Sequence, residues 1–312
     1  MNFPLIENEE NFARCFQSEV WLAAAESICE RHLIPYQLLQ RADSGEHVVF
    51  LVDDCLIIKI YAPFRNGFRR EKSGLEFARG KTKLPIPEIL FEGEIENFKY
   101  LVLTQQTGVL MTRETWLGLE TRKQIEVVSE LAAGLKELHS HNSDRIDFDW
   151  QNFIRHQAVV TFERQKSHGV NSKVLEHLPD YLEKNLKLLT EDSSSVFLHG
   201  DVHFGNLRLI ETDGNWRISG LFDFADSLAG FYEFDFVATG VLMIQGQGEL
   251  QREFFRAYGY KEKDINETLR RRLMLLTILY DCSDLRRYAL RLKPEAVDYA
   301  LDDLERAIWA FV

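Results

Sequence analysis

The sequence predicts an α+β fold of two lobes, a small antiparallel-sheet lobe followed by a larger, mainly helical one. Three observations carry this. The first hundred residues hold short β-rich runs separated by polar turns, with one helical segment among them. After Gly108 the apolar spacing switches to steps of three and four. Between later helical stretches, the run Phe197–Asn206 (FLHGDVHFGN) gathers two histidines, an aspartate, an asparagine and two glycines directly after strand-forming residues.

In chain order, Asn11–His32 carries Phe12, Phe16, Ala23, Ala24 and Ile28 at helical spacing, and Pro35 ends it. His47–Val52 and Cys55–Tyr61 read as a hairpin turning at Asp53-Asp54. Phe68–Arg79 reads as a helix, closed off by Pro85 and Pro87. Ile89–Phe91 and Tyr100–Leu103 read as strands around the polar turn Glu94–Lys99. In Thr121–His141, Ile125, Val128, Leu131, Leu135 and Leu138 make a buried helical face. Leu207–Ile210 and Trp216–Phe222 read as a second hairpin across Asp213-Gly214-Asn215. Ile265–Tyr280 and the segment carrying Val297, Leu301, Leu304, Ile308 and Phe311 are helical. A linker near Thr104–Gly108 divides a small sheet-rich lobe, residues 1–104, from a larger helical lobe, residues 105–312.

Bulk composition bounds the function. The 312 residues are 45% hydrophobic and 28% charged, ordinary for a globular protein able to bury a substantial core. No apolar run approaches the roughly 18 residues of a membrane helix. Met1–Asn11 is acidic and lacks a basic flank before an apolar segment, so it does not read as a secretory signal. Cys15, Cys29, Cys55 and Cys282 lack metal or disulfide spacing, which fits a reducing cytosol. The expected location is cytoplasmic, without a membrane partner. A net charge of −12 repels nucleic-acid phosphates and favours cationic partners, although acidity also serves solubility.

If the second hairpin forms, Asn206 and Asp223 meet at its open end. An amide oxygen and a carboxylate are the hard ligands that Mg²⁺ takes along with waters and substrate phosphates. Asp201, a short loop earlier, is placed to accept a proton, an arrangement suited to phosphoryl transfer. Lys59 interrupts the apolar strand Leu56–Ile60, where an ammonium is costly unless it meets an anion. Glu71, on the following helix, could be that anion. Each of these residues alone has a plainer reading, as a surface lysine, a helix carboxylate or a turn residue. Their ordered combination does not.

The ordered set His199-Gly200-Asp201 with Asn206, then Asp223, with Lys59 and Glu71 upstream, resembles the aminoglycoside phosphotransferase family, relatives of protein kinases. Lys83–Pro87 and Tyr100–Leu103 extend the resemblance, and Leu275–Thr277 through Ser283–Leu285 are similar to the hygromycin-type subgroup. The resemblance implies a bilobal protein-kinase-like fold and Mg²⁺-dependent transfer of the γ-phosphate of ATP or GTP to a small-molecule hydroxyl. It implies Asp201 as catalytic base, Asn206 and Asp223 as metal ligands, and Lys59, oriented by Glu71, on the nucleotide phosphates. It further implies that Thr104 and Gln106 present backbone groups to the nucleobase, that Ser44 belongs to a reduced phosphate loop, and that Asp235 braces the catalytic loop. The implied acceptor is an aminoglycoside-type antibiotic, the activity then being antibiotic resistance. Choline, homoserine, a ketosamine or a macrolide are alternatives within the same fold family. Asp226, Glu233, Asp281 and Asp284 are the acids that would meet a cationic acceptor, though each could equally be a surface acid, and Asp284 a helix cap.

Two other classes compete. His199, Asp201 and His203 alternate, and on a strand they would share one face as in a metal-dependent hydrolase. Gly200 and Gly205 favour a loop instead, leaving His199 as a buried brace and His203 incidental. A nucleotide-binding protein without catalysis is disfavoured because Lys59, Asp201, Asn206 and Asp223 are all present.

Overall fold

The computed structural model describes residues 3, 6, 8–43, 45–63, 66–143, 146–189 and 195–312. The chain opens with helices α1 (Glu9–Cys15) and α2 (Val20–Arg31), where the sequence had predicted one continuous helix. The break lets the Ser18 N–H return to the Cys15 carbonyl (2.9 Å). Trp21 donates from its indole to that same carbonyl (2.8 Å), and its ring meets Phe12 edge-on. The apolar side chains of both segments thus converge on one core, which a straight helix would not allow.

Strands β1 (Leu39–Arg41), β2 (Val48–Val52), β3 (Leu56–Ile60), β4 (Ile89–Ile95) and β5 (Phe98–Thr104) form an antiparallel sheet in the order β1-β2-β3-β5-β4. The β2–β3 turn is Asp53-Asp54, both at positive φ (49° and 55°), matching the twist of a tight hairpin. The β4–β5 turn is only Glu96-Asn97, so both strands run further than their sequence suggested. Period-two alternation sorts the sheet's side chains. Val48, Phe50, Val52, Ile58, Ile60, Tyr100 and Val102 pack toward α2. Leu101, Leu103 and Tyr61 join the core shared with the large lobe. Lys59, opposite Leu101 in register, lies on that second face. Helix α3 (Gly67–Ala78) covers it, burying Glu71, Leu75 and Phe77.

After β6 (Val109–Leu110) come α4 (Arg113–Gly118), α5 (Thr121–His139), α6 (Trp150–Ser167) and α7 (Ser172–Asn185). Then β7 (Val196–Leu198) leads into the loop of interest, followed by β8 (Leu207–Thr212), β9 (Asn215–Leu221) and β10 (Leu228–Gly230). β8 pairs with both β6 and β9, and β10 pairs with β7, all antiparallel. The remainder is α8 (Asp235–Ala238), widening into a π turn over Thr239–Ile244, then α9 (Gly248–Tyr258), α10 (Glu267–Leu279), α11 (Leu285–Leu292) and α12 (Leu301–Ile308). α5 packs on α9 and β9, and α10 packs on α6, α7 and α12. Among the described residues, no helix is long and apolar enough to cross a membrane.

The lobes are pinned near the site. The Leu221 N–H donates to the Pro85 carbonyl (2.8 Å), Thr82 Oγ1 to the Gly134 carbonyl (3.2 Å), and Leu84 lies against Gly134 of α5. A side chain at Gly134 would collide with the buried Leu84 side chain. Gly134→Val is expected to cost about 1–3 kcal/mol of stability through this overpacking. A lower urea midpoint at unchanged slope would be the readout.

Candidate active site

The lobes enclose a cleft of about 520 Å³, with Lys59, Asp201, Asp223, Asp226, Tyr280 and Asp281 among its walls. Phe148, Phe153 and Phe234 give it an apolar side.

Lys59 joins the two lobes. Its Nζ lies 2.6 Å from Glu71 Oε2 on α3 and 2.7 Å from Asp223 Oδ1 beyond β9. The Tyr61 hydroxyl donates to the same Glu71 oxygen (2.6 Å). Burial alone would lower the Lys59 pKa, but the two carboxylates outweigh it and raise it, so the ammonium stays charged. Burial works against the Asp223 charge as well, yet Lys59 holds its pKa down at about 2.

The loop after β7 is held from below by Asp235. Its Oδ2 accepts from the His199 N–H (2.9 Å) and its Oδ1 from the Gly200 N–H (2.7 Å). His139 Nε2 meets Oδ2 at 3.0 Å. His199 is fully buried; its Nδ1 accepts from the Asp201 N–H (3.3 Å), so its Nε2 donates to the Phe222 carbonyl (3.0 Å). It thereby ties the loop to the residue preceding Asp223. Gly200 has φ +90°, and a side chain there would strike the Asp226 carbonyl. Only glycine meets both demands. Gly205 is different: it does not adopt positive φ, and its lack of a side chain makes room for the His203 ring. Thr239 Oγ1, in the π turn, donates to the Val202 carbonyl (2.7 Å).

This frame aims Asp201 into the cleft. Its Oδ1 accepts from the Tyr280 hydroxyl (3.0 Å) and its Oδ2 from Asn206 Nδ2 (3.1 Å). His203 Nδ1 accepts from the Gly205 N–H (2.9 Å), which leaves Nε2 to donate toward Asp201 Oδ2 (3.2 Å). Burial would raise the Asp201 pKa, but the hydrogen bond from His203, with smaller help from that of Tyr280, brings it below the ordinary value.

Asp223 adopts the left-handed conformation (φ 65°, ψ 67°), which aspartate tolerates better than most residues. It follows the β8–β9 pair, where the Phe222 N–H donates to the Asn206 carbonyl (3.1 Å), so Asn206 and Asp223 stand at the same hairpin end. Asn206 spends its Nδ2 on the Asp201 carbonyl (2.9 Å) and carboxylate, which leaves the amide oxygen as its remaining donor atom to a cation. An amide oxygen and an ionised carboxylate fit Mg²⁺. His199 has both ring nitrogens committed, which removes it from any zinc or iron site. Among the described residues, no group of three or more His, Cys, Asp or Glu could hold a metal.

The chain matches the phosphotransferase enzyme family over residues 39–275. It belongs to that family. No curated protein matches it in sequence. Among solved structures it is similar to the GDP complex of wild-type aminoglycoside 2'-phosphotransferase-IIIa, at 14% identity and a TM-score of 0.70, covering 93% of this chain and 99% of that one. It is similar to the gentamicin complex of APH(2")-IIa at 17% identity and a TM-score of 0.61, covering 93% and 98%. It is also similar to aminoglycoside phosphotransferase APH(3")-Id from Streptomyces rimosus, at 16% identity and a TM-score of 0.58, covering 83% and 98%. The expected bilobal, kinase-like α+β fold is the one found, and the protein is a phosphotransferase.

In this phosphotransferase the cleft brings together Lys59, Asp201, Asp223, Asp226 and Asp281, with Glu71 and Asn206 buried against its walls. Two predicted acceptor acids lie elsewhere. Glu233 is fully buried and ion-paired with Arg272, with the Tyr260 hydroxyl also donating to it, so it holds the helical lobe together. Asp284 caps α11, accepting from the Arg287 N–H (2.8 Å). Thr104 and Gln106 stand at the junction of the lobes: the Thr104 N–H donates to the Glu88 carbonyl (3.0 Å), and Gln106 covers Gly220. Ser44 lies outside the described residues. His203 is not incidental, since it touches Asp201. Sequence reasoning missed Tyr280 as well, for it reads only as the last apolar residue of α10's stripe.

Asp235→Ala would strand the buried N–H groups of His199 and Gly200. Each unsatisfied group costs about 1–3 kcal/mol. Loss of several kcal/mol in urea unfolding, together with loss of turnover, is the expected result. Tyr280→Phe should leave the unfolding midpoint near the wild-type value and lower kcat.

Proposed function

We propose that the protein transfers the γ-phosphate of ATP or GTP, with Mg²⁺, to a hydroxyl of an amine-bearing small molecule, of which aminoglycoside-type antibiotics are the leading class. The observation that carries this is the meeting of Lys59 with Asp223 in the cleft that also holds Asp201 and its hydrogen-bonded Asn206. In this reading Asp201 accepts the hydroxyl hydrogen and points an acceptor oxygen lone pair at the γ-phosphorus. The new O–P bond forms as the bond to the bridging β–γ oxygen breaks, the proton passes to the Asp201 carboxylate, and a nucleoside diphosphate leaves. A carboxylate with a lowered pKa is a weak base, so Asp201 works chiefly by orientation, and the proton moves late. Lys59 meets the nucleotide phosphates, and Glu71 keeps it aimed. Mg²⁺ held by Asn206 and Asp223 would neutralise charge building on the phosphate oxygens.

The amine would be met by Asp226 and Asp281. Burial in the cleft, then the charges of Asp201, Asp223, Glu46 and Asp281, push the Asp226 pKa up to about 7. An arriving ammonium relieves this crowding. The solved relatives bind GDP and gentamicin in their own structures, which supports a nucleotide donor and an amino-sugar acceptor here. The acidic net charge fits a cationic acceptor and disfavours nucleic acid as a partner.

A nucleotide-consumption screen over aminoglycosides, macrolides, amino alcohols and ketosamines tests the acceptor. Asp201→Ala should lower kcat by about 10²–10⁴ while Mg²⁺–nucleotide affinity stays near wild type. Asp223→Ala should weaken both, read by calorimetric titration of a non-hydrolysable ATP analogue with and without Mg²⁺. Wild-type turnover in Asp201→Ala would remove Asp201 from the reaction.

A further inference from the structure

The cleft is not uniformly acidic. Beside Glu46, Asp226 and Asp281, its walls include Arg287 and Arg291 of α11. A spacing of four residues sets both on one helix face. Arg291 is partly buried and donates to the Leu242 carbonyl (3.3 Å). Arg113, at the start of α4, donates to Gln245 Oε1 (3.3 Å), next to the same π turn. Both other cations reach Arg291: burial first, then the charges of Arg287 and Arg113, lower its pKa. Among the described residues, none of the three forms an ion pair with a carboxylate. Some other arginines of the large lobe do, as Arg256 with Glu262, Arg270 with Glu305 and Arg272 with Glu233, while among the described residues Arg208, Arg217 and Arg286 do not. The nearest acid in sequence, Asp284, is committed to capping α11.

Arg287 is exposed and Arg291 partly buried, and two guanidinium groups on one helix face at a cleft wall are complementary to an oxyanion. Nucleotide phosphates have their own cation in Lys59, which sits against Asp223 rather than on α11. Resting on the phosphotransfer reading, we infer that the acceptor carries a carboxylate- or phosphate-type oxyanion as well as its amine, received by Arg287 and Arg291. The amine goes to Asp226 and Asp281. The acceptor is then a zwitterionic amino alcohol or amino sugar, which narrows the amine-bearing class proposed above and shifts its weight away from the polycationic aminoglycosides.

The test uses wild type and the double variant Arg287→Gln, Arg291→Gln, both saturated with Mg²⁺ and a non-hydrolysable ATP analogue so that the phosphate site is filled. Sulfate or inorganic phosphate, compared with chloride at equal ionic strength, should raise the melting temperature of wild type. The double variant should lose at least about half of that rise while binding the analogue within about twofold of wild type. In turnover assays, L-homoserine and L-serine are compared with 3-amino-1-propanol and ethanolamine, the same amino alcohols without the carboxylate. The carboxylate should improve kcat/KM by about tenfold or more, and the double variant should erase that preference mainly through KM. Phosphorylated amino alcohols in the same assay separate a phosphate from a carboxylate preference. An equal sulfate effect in both proteins, or turnover confined to acid-free polycations such as kanamycin and unchanged in the double variant, overturns the anion site and leaves phosphotransfer standing. Failure of wild type to bind the Mg²⁺–nucleotide analogue overturns the phosphotransfer reading itself.

Discussion

A lysine held between two carboxylates organises this molecule. Lys59 comes from the central strand of the small sheet, Glu71 from α3, and Asp223 from the end of a hairpin in the large lobe. Removing a charge from water is affordable only with partners this close, and losing one partner leaves an uncompensated charge inside. Three elements distant in sequence therefore have one mutually consistent arrangement. The alternation of β3 enforces it. With Ile58 and Ile60 buried under α2, Lys59 has only the cleft-side face to occupy.

A second polar chain does for the loop what Lys59 does for the lobes. His139 meets Asp235, Asp235 receives two loop N–H groups, and His199 spans from the Asp201 N–H to the Phe222 carbonyl. Asp201 then stands among Tyr280, Asn206 and His203. Satisfied buried hydrogen bonds of this kind are costly to break, so the loop keeps one shape. The strain this entails sits at two backbone positions, Gly200 and Asp223, one suited to positive φ by lacking a side chain and the other by being short and polar.

Besides the Lys59–Asp223 pair, the cleft holds two groups of like charge. Carboxylates gather around Asp226, and Arg287 and Arg291 share one face of α11 at the cleft wall. In the proposed reading a bound acceptor supplies the complementary charges.

Much of this was legible in the chain. Short-range physics sets alternation, helical stripes and tight turns, so strands β2 and β3, the Asp53-Asp54 and Asp213-Gly214 hairpins and the long α5 appear at their expected places, while β1 was not assigned and β4 and β5 run longer than expected. The residues Lys59, Glu71, Asp201, Asn206 and Asp223 were recognisable by their order along the chain, since each alone has a plainer reading. Helices α6, α7, α9 and α11 were not assigned, and one predicted helix proved to be two, because what sorts such segments is packing against partners far along the chain. The acids show the same limit most clearly. Asp226 and Glu233 look alike in sequence, yet the fold turns one into the cleft and buries the other against Arg272. The sequence by itself determined which chemistry the chain carries, since composition and local order belong to the residues. Only the tertiary structure decided which of those groups share a cavity, because a side chain's partner, and hence its charge and role, depends on contacts that no local pattern encodes.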